Sequence, residues 1–142
     1  MNPQEVFFKL VVQLRAMQMF AQAAHHLCSK ALFFQDHEAL GDFYEALQGE
    51  YDRAAEKYVS LYGSYDMKAL FSQASAKLQS APSDVKENKD FFTYQLSMEK
   101  ELCSMVDMIV RQGGYSEGCK NLVADIGTVS EGRQYLIKRR VM

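Results

Sequence analysis

All three histidines of this chain lie within thirteen residues, His25, His26 and His37, and a run of acids follows them at helical spacing. Imidazole and carboxylate together can serve a metal ion or move protons. From Asp36 to Gly63 no proline interrupts the chain, so this stretch reads as one long helix closed by a glycine. Advancing about 100° per residue from His37 puts Leu40, Phe43, Leu47, Tyr51, Ala54, Tyr58, Leu61 and Tyr62 on one face. Glu38, Asp42, Glu45, Asp52 and Glu56 fall on the other, with His37 at the boundary. Taken alone, an acidic stripe opposite an apolar face is a solvated surface, and a boundary histidine is a cap or a filler. A metal role needs further support.

Other chemistries find less. No Ser or Cys stands beside an identifiable orienting base, and the glycine-containing pieces match no phosphate loop. Cys28, Cys103 and Cys119 have no metal-ligand spacing and read as buried free thiols of a reducing compartment, dispensable for activity. A net charge of −2 gives no global field toward nucleic acid. Lys138, Arg139 and Arg140 form the one candidate basic patch for DNA, or simply complement a helix dipole.

The elements that must position these residues are helical. The composition is rich in Ala, Leu, Met, Gln, Glu and Lys, and its only prolines are Pro3 and Pro82. A first helix is expected from Asn2, as cap, to about Ser29, with Phe7, Leu10, Val11, Leu14, Met17, Phe20 or Ala21, Ala24 and Cys28 inward. A short break at residues 29–35 precedes the long helix. A short amphipathic helix within 64–80 carries Met67, Leu70, Phe71, Ala74 and Leu78 on one side. A third long helix spans about Glu87 to Gln112, with Phe91, Gln95, Met98, Leu102, Met105 and Ile109 inward. A fourth runs from Ser116 or Glu117 to about Arg139, with Leu122, Ile126, Val129, Leu136 and Ile137 inward. Gly118, Gly127 and Gly132 within it suit close packing. At 142 residues one domain is expected over the whole chain. The apolar runs are too interrupted to span a membrane, and the N-terminus lacks a signal-peptide pattern, so a cytoplasmic protein is expected.

Short loops between helices one and two and between three and four, with a connection of about 24 residues between two and three, point to an all-α bundle. Its topology is up-down-down-up and ferritin-like, with a short helix in the crossover.

Here the sequence resembles the Dps family of mini-ferritins, DNA-binding proteins from starved cells. The resemblance rests on His25 and His37, twelve apart, on Asp52-Arg53-Ala54-Ala55-Glu56-Lys57 as an Asp-x-x-x-Glu pair followed by a basic residue, and on the run AEKYVSLYG. It implies Fe(II) ligation by His25, His37, Asp52 and Glu56, the histidines from one subunit and the acids from a two-fold partner. It also implies a shell of twelve subunits that oxidises Fe(II), with peroxide, and keeps the iron inside. The family's carboxylate four residues after the second histidine is Gly41 here. Glu38 or Glu45 could reach in with a longer side chain, Asp42 only with a local shift of the helix, and His26 is a second candidate for the upstream histidine position, where the twelve-residue spacing favours His25. The alternative is a structural or DNA-binding shell whose ferroxidase site is altered or lost. Larger ferritins use Glu-x-x-His pairs, whereas Gln22, Ala23 and Phe34 stand three before the histidines here.

Overall fold

The computed structural model describes residues 1–142 and contains five α-helices and no strand. They are α1 (Pro3–Leu27), α2 (Phe33–Tyr62), α3 (Met67–Lys77), α4 (Asn88–Arg111) and α5 (Glu117–Val141). Three starts are capped as short polar side chains cap them. Asn2 accepts from the Glu5 amide at 2.8 Å, Asp66 from Ala69 at 3.1 Å and Ser116 from Cys119 at 3.1 Å. Helix α2 has no side-chain cap, and it begins at Phe33, inside the stretch expected to be a break. It ends at Gly63, whose φ of +91° takes the left-handed conformation that glycine adopts without strain.

Hydrogen bonds at the two ends fix the topology. At one end the Asn88 side chain, at the start of α4, donates to the Ser29 carbonyl and to Asp36 in the first turn of α2. Arg140, in the last turn of α5, grips the same Asp36. At the other end Tyr115 donates to the Pro3 carbonyl at 2.6 Å, and Gln4 to the Tyr58 hydroxyl. So α1 and α5 run one way, and α2 and α4 the other. This is the up-down-down-up bundle of ferritin-like proteins, with α3 lying in the crossover between α2 and α4.

The core takes its largest share from α1, where Phe7, Leu10, Leu14 and Met17 are fully buried. Leu40 and Leu47 of α2, Leu102 and Ile109 of α4, and Ile126 and Ile137 of α5 meet them. Several residues expected inward are exposed: Leu61, Val129 and Leu136, and, in α3, Met67 and Phe71. The reason in α5 is that its inner seam is Cys119, Val123, Ile126, Ser130, Arg133 and Ile137, a regular stripe whose polar members break the apolar pattern. Of the three glycines of α5, only Gly127 marks a close approach, since a Cβ there would lie 2.9 Å from Val106 Cγ1. Cys28 and Cys119 are buried and Cys103 half-buried. Burial, reinforced by Asp36, pushes the Cys28 thiol up, and burial does the same for Cys119, which keeps both protonated.

Buried charge occurs at two places in this apolar interior. Arg133 lies between Glu50 of α2 and Glu99 of α4, and all three are buried. It donates to Glu50 at 2.6 and 3.2 Å and to Glu99 at 2.7 and 3.1 Å. Ser130 and Gln95 each donate to Glu99 at 2.7 Å. Burial opposes the charge on Arg133, and the hydrogen bonds it donates to Glu50 with the field of Glu99 overcome it, so its guanidinium stays protonated.

The second is Asp36. Arg140 donates to both of its oxygens at 2.9 Å, and Asn88 to one of them at 2.9 Å. Burial alone would raise the Asp36 carboxyl, but these bonds hold it below the usual carboxylate range. A depressed native pKa supplies stability that is present above the unfolded value and fades as pH falls through the native one. Asp36→Ala is therefore expected to cost about 1–3 kcal/mol at neutral pH. The difference from the parent should shrink below about pH 4, the ordinary aspartate range. Urea melts at pH 7 and pH 3 check this, and an equal loss at both would refute it.

Candidate metal centre

The histidines meet at the corner where α1 turns into α2. The His25 and His37 rings stack at 3.8 Å between centroids and 17° from parallel, and Phe33 stacks on the far side of His37 at 5.0 Å. The hydrogen bonding is reciprocal. His25 Nδ1 donates to the His37 carbonyl and His37 Nδ1 to the His25 carbonyl, both at 2.7 Å. A carbonyl can only accept, so each Nδ1 carries the proton, and in the neutral ring each Nε2 keeps a lone pair. This is the second-shell arrangement that prepares imidazole for a metal.

Gly41 completes the corner. A Cβ at this position would lie 2.9 Å from Cε1 and Nδ1 of His25. The imidazole therefore packs against α2 at this glycine, and the side chain expected four residues after His37 would meet it. Its absence here is steric.

The remaining candidates are placed as follows. His26 is exposed and outside the reciprocal pair, though its ring lies 5.8 Å from that of His25. Glu38, Asp42 and Glu45 are exposed along α2. Asp52 and Glu56 are exposed too, and they flank a surface cleft of about 330 Å³ with Tyr51, Ala55, Val59 and Tyr65. Fifteen residues of helix separate His37 from Asp52, about 22 Å at 1.5 Å per residue. The histidines and the acid pair of one chain therefore cannot share an ion. In keeping with this, no three His, Cys, Asp or Glu side chains of the chain converge on a metal-sized site.

The stacking has a further chemical limit. In-plane lone pairs of two nearly parallel rings do not converge within a metal–nitrogen bond of about 2 Å. Ligation of one ion by both rings requires one of them to tilt and give up its Nδ1 hydrogen bond.

The basic patch is smaller than its sequence suggests. Arg140 is half-buried, paired with Asp36 and 5.4 Å over the Phe92 ring. Lys138 and Arg139 remain exposed. No helix is long and apolar enough to cross a membrane.

The sequence reading passed over Asp36, Glu50, Glu99 and Arg133. A signal was present. Asp36 lies in the apolar arc of α2, with Leu40, Phe43 and Leu47 four, seven and eleven residues on. Arg133 lies in the α5 seam, seven after Ile126 and four before Ile137.

Fold and site define a ferritin-like four-helix bundle with a paired-histidine corner. The comparisons narrow this further. No family profile matches the chain. It is similar to DNA protection during starvation protein 2 of Deinococcus radiodurans, 32% identical over 88 residues, which covers 60% of this chain and 36% of that protein. The match thus spans little more than a third of that relative's length. In structure it resembles Dps from Microbacterium arborescens in the high iron form, with a TM-score of 0.86 and 16% identity over 98% of this chain and 91% of that one. It also resembles Dps from Listeria innocua, with a TM-score of 0.85 and 16% identity over 99% and 95% of the two chains. The whole chain thus has the fold of Dps proteins, and 88 of its residues are similar in sequence to one of them.

Proposed function

We propose that this chain is a Dps-type mini-ferritin that takes Fe(II) as substrate at sites completed between two copies, oxidises it with peroxide and sequesters it within a homo-oligomeric shell of twelve. His25 and His37 of one copy and Asp52 and Glu56 of the other are the ligands. The observation that carries this reading is the histidine corner: two imidazoles brought together with an Nε2 lone pair left on each, one of which joins the other at an ion once its ring tilts, on a glycine that leaves the space above α2 to His25. Imidazole nitrogen with carboxylate oxygen suits Fe(II). The exposure of Asp52 and Glu56, far from their own chain's histidines, is what an isologous shared site needs.

Replacing His25 and His37 together by alanine is expected to abolish Fe(II) oxidation, followed by absorbance after anaerobic loading and peroxide addition, while native mass spectra show the assembly unchanged. Parental oxidation rates in that variant would overturn the proposal.

A further inference from the structure

The side of α2 turned away from the core, exposed except at half-buried Gly41 and buried Ala55, contains a self-complementary pattern. Phe34, Glu38, Gly41, Glu45, Gln48, Asp52, Ala55 and Val59 recur at alternating four- and three-residue steps, the seam spacing of paired helices. The series of steps reads the same in both directions. A second copy of α2, turned end over end by a two-fold axis, therefore meets the first position for position. Phe34 falls on Val59, Glu38 on Ala55, Gly41 on Asp52 and Glu45 on Gln48.

Charge selects this register from its neighbours. In it no carboxylate of the stripe faces another, and Asp52 arrives at Gly41, where the His25 ring lies. Sliding by one step either way sets Glu38 against Asp52 and Glu45 against its own copy, or Glu45 against Asp52. Like charges placed opposite each other are destabilising.

The ends of the stripe fit as knob and hole. Phe34 is 85% exposed in the single chain. Val59 and Ala55, which it would meet, line the cleft between Tyr51 and Tyr65 that also borders Asp52 and Glu56. A large exposed aromatic side chain opposite an apolar cleft is the composition of an interface anchor.

We propose that Phe34 of each copy docks into the Tyr51–Ala55–Val59–Tyr65 cleft of a second copy, and that this anchor sets the register that brings Asp52 to His25. The inference deepens the shared-site reading and rests on it for the role of the acids. It makes Phe34 a positioning residue that touches no metal and that the ligand set does not include. Docked there, its ring also displaces water from one flank of the acid pair.

Engineered cysteines test the register directly. In a Cys103→Ser background, Phe34→Cys combined with Val59→Cys is expected to give a covalent dimer under diamide, and neither single variant should. Twenty-five residues of helix, about 37 Å, separate the two positions within one chain, so any such bond joins two copies. Independently, Phe34→Asp should weaken the association of copies at least tenfold by sedimentation equilibrium. Absence of the cross-link, or undiminished association of Phe34→Asp, overturns the docking. Efficient cross-linking in a protein that takes up no Fe(II) sustains the docking and overturns the metal reading alone. Parental Fe(II) oxidation with undiminished association in Phe34→Asp overturns the docking alone.

Discussion

Arg133→Met should be among the most damaging single substitutions in the chain, lowering the unfolding free energy by about 3–5 kcal/mol. The side chain removed is the only cation that Glu50 and Glu99 contact in the interior. Without it two carboxylates remain in an apolar bundle with only Ser130 and Gln95 as hydrogen-bond donors, both on Glu99. An unpaired buried charge is far costlier than the pair is beneficial. The triple variant Arg133→Met, Glu50→Leu, Glu99→Leu should therefore recover most of the loss, since it removes the charges together. Urea midpoints of the parent, single and triple variants check both halves. A loss below about 1 kcal/mol in the single variant would mean that water reaches the cluster and screens it.

Gly41→Asp, which introduces the carboxylate that the resemblance led one to expect at this spacing, is expected to impair the metal site. A Cβ at Gly41 enters the space of the His25 ring at 2.9 Å. The ring must leave its seat, breaking the stack with His37 and at least one Nδ1–carbonyl bond. Fe(II) affinity, measured by anaerobic calorimetry, should fall about tenfold, which corresponds to about 1.4 kcal/mol. Gly41→Ala separates the steric effect from the added charge. An alanine in an open helix interior gains about 1 kcal/mol over glycine, and Gly132, which has nothing near its Cβ position, should show that gain. At Gly41 the overlap with His25 should cancel it or reverse it. Tighter Fe(II) binding by Gly41→Asp would show that the ring yields easily and that the glycine is not its seat.

The sequence announced the helices wherever local rules decide them. Asn2 and Ser116 cap α1 and α5, and the apolar steps of α1 from Phe7 to Ala24 are all buried. It was silent where long-range partners decide. Helix α2 starts at Phe33 without a capping side chain, because the packing of Phe33 on His37 orders that turn. Val129 and Leu136 looked like core, but α5 turns Ser130 and Arg133 inward instead, toward carboxylates 31 and 83 residues away in sequence. No periodicity carries such a pairing. At the site, the twelve-residue spacing of His25 and His37 was visible, while their crossed hydrogen bonds were not. Gly41 was visible as a departure from the family pattern, and its cause, the ring of His25, appears only when α1 folds back on α2.

The crossed hydrogen bonds at that corner also bear on its motion. Each ring is fastened to the backbone of the other's helix, so neither can swing out without loosening its neighbour. The last turn of α1 and the first turn of α2 are thereby latched across a five-residue loop, Cys28–Leu32, by two bolts that must be drawn together. Local opening there is cooperative and correspondingly rare, and the amides of these turns should exchange with solvent as one unit. An ion taken by both imidazoles must draw one of these bolts, so part of its binding free energy goes into opening the corner.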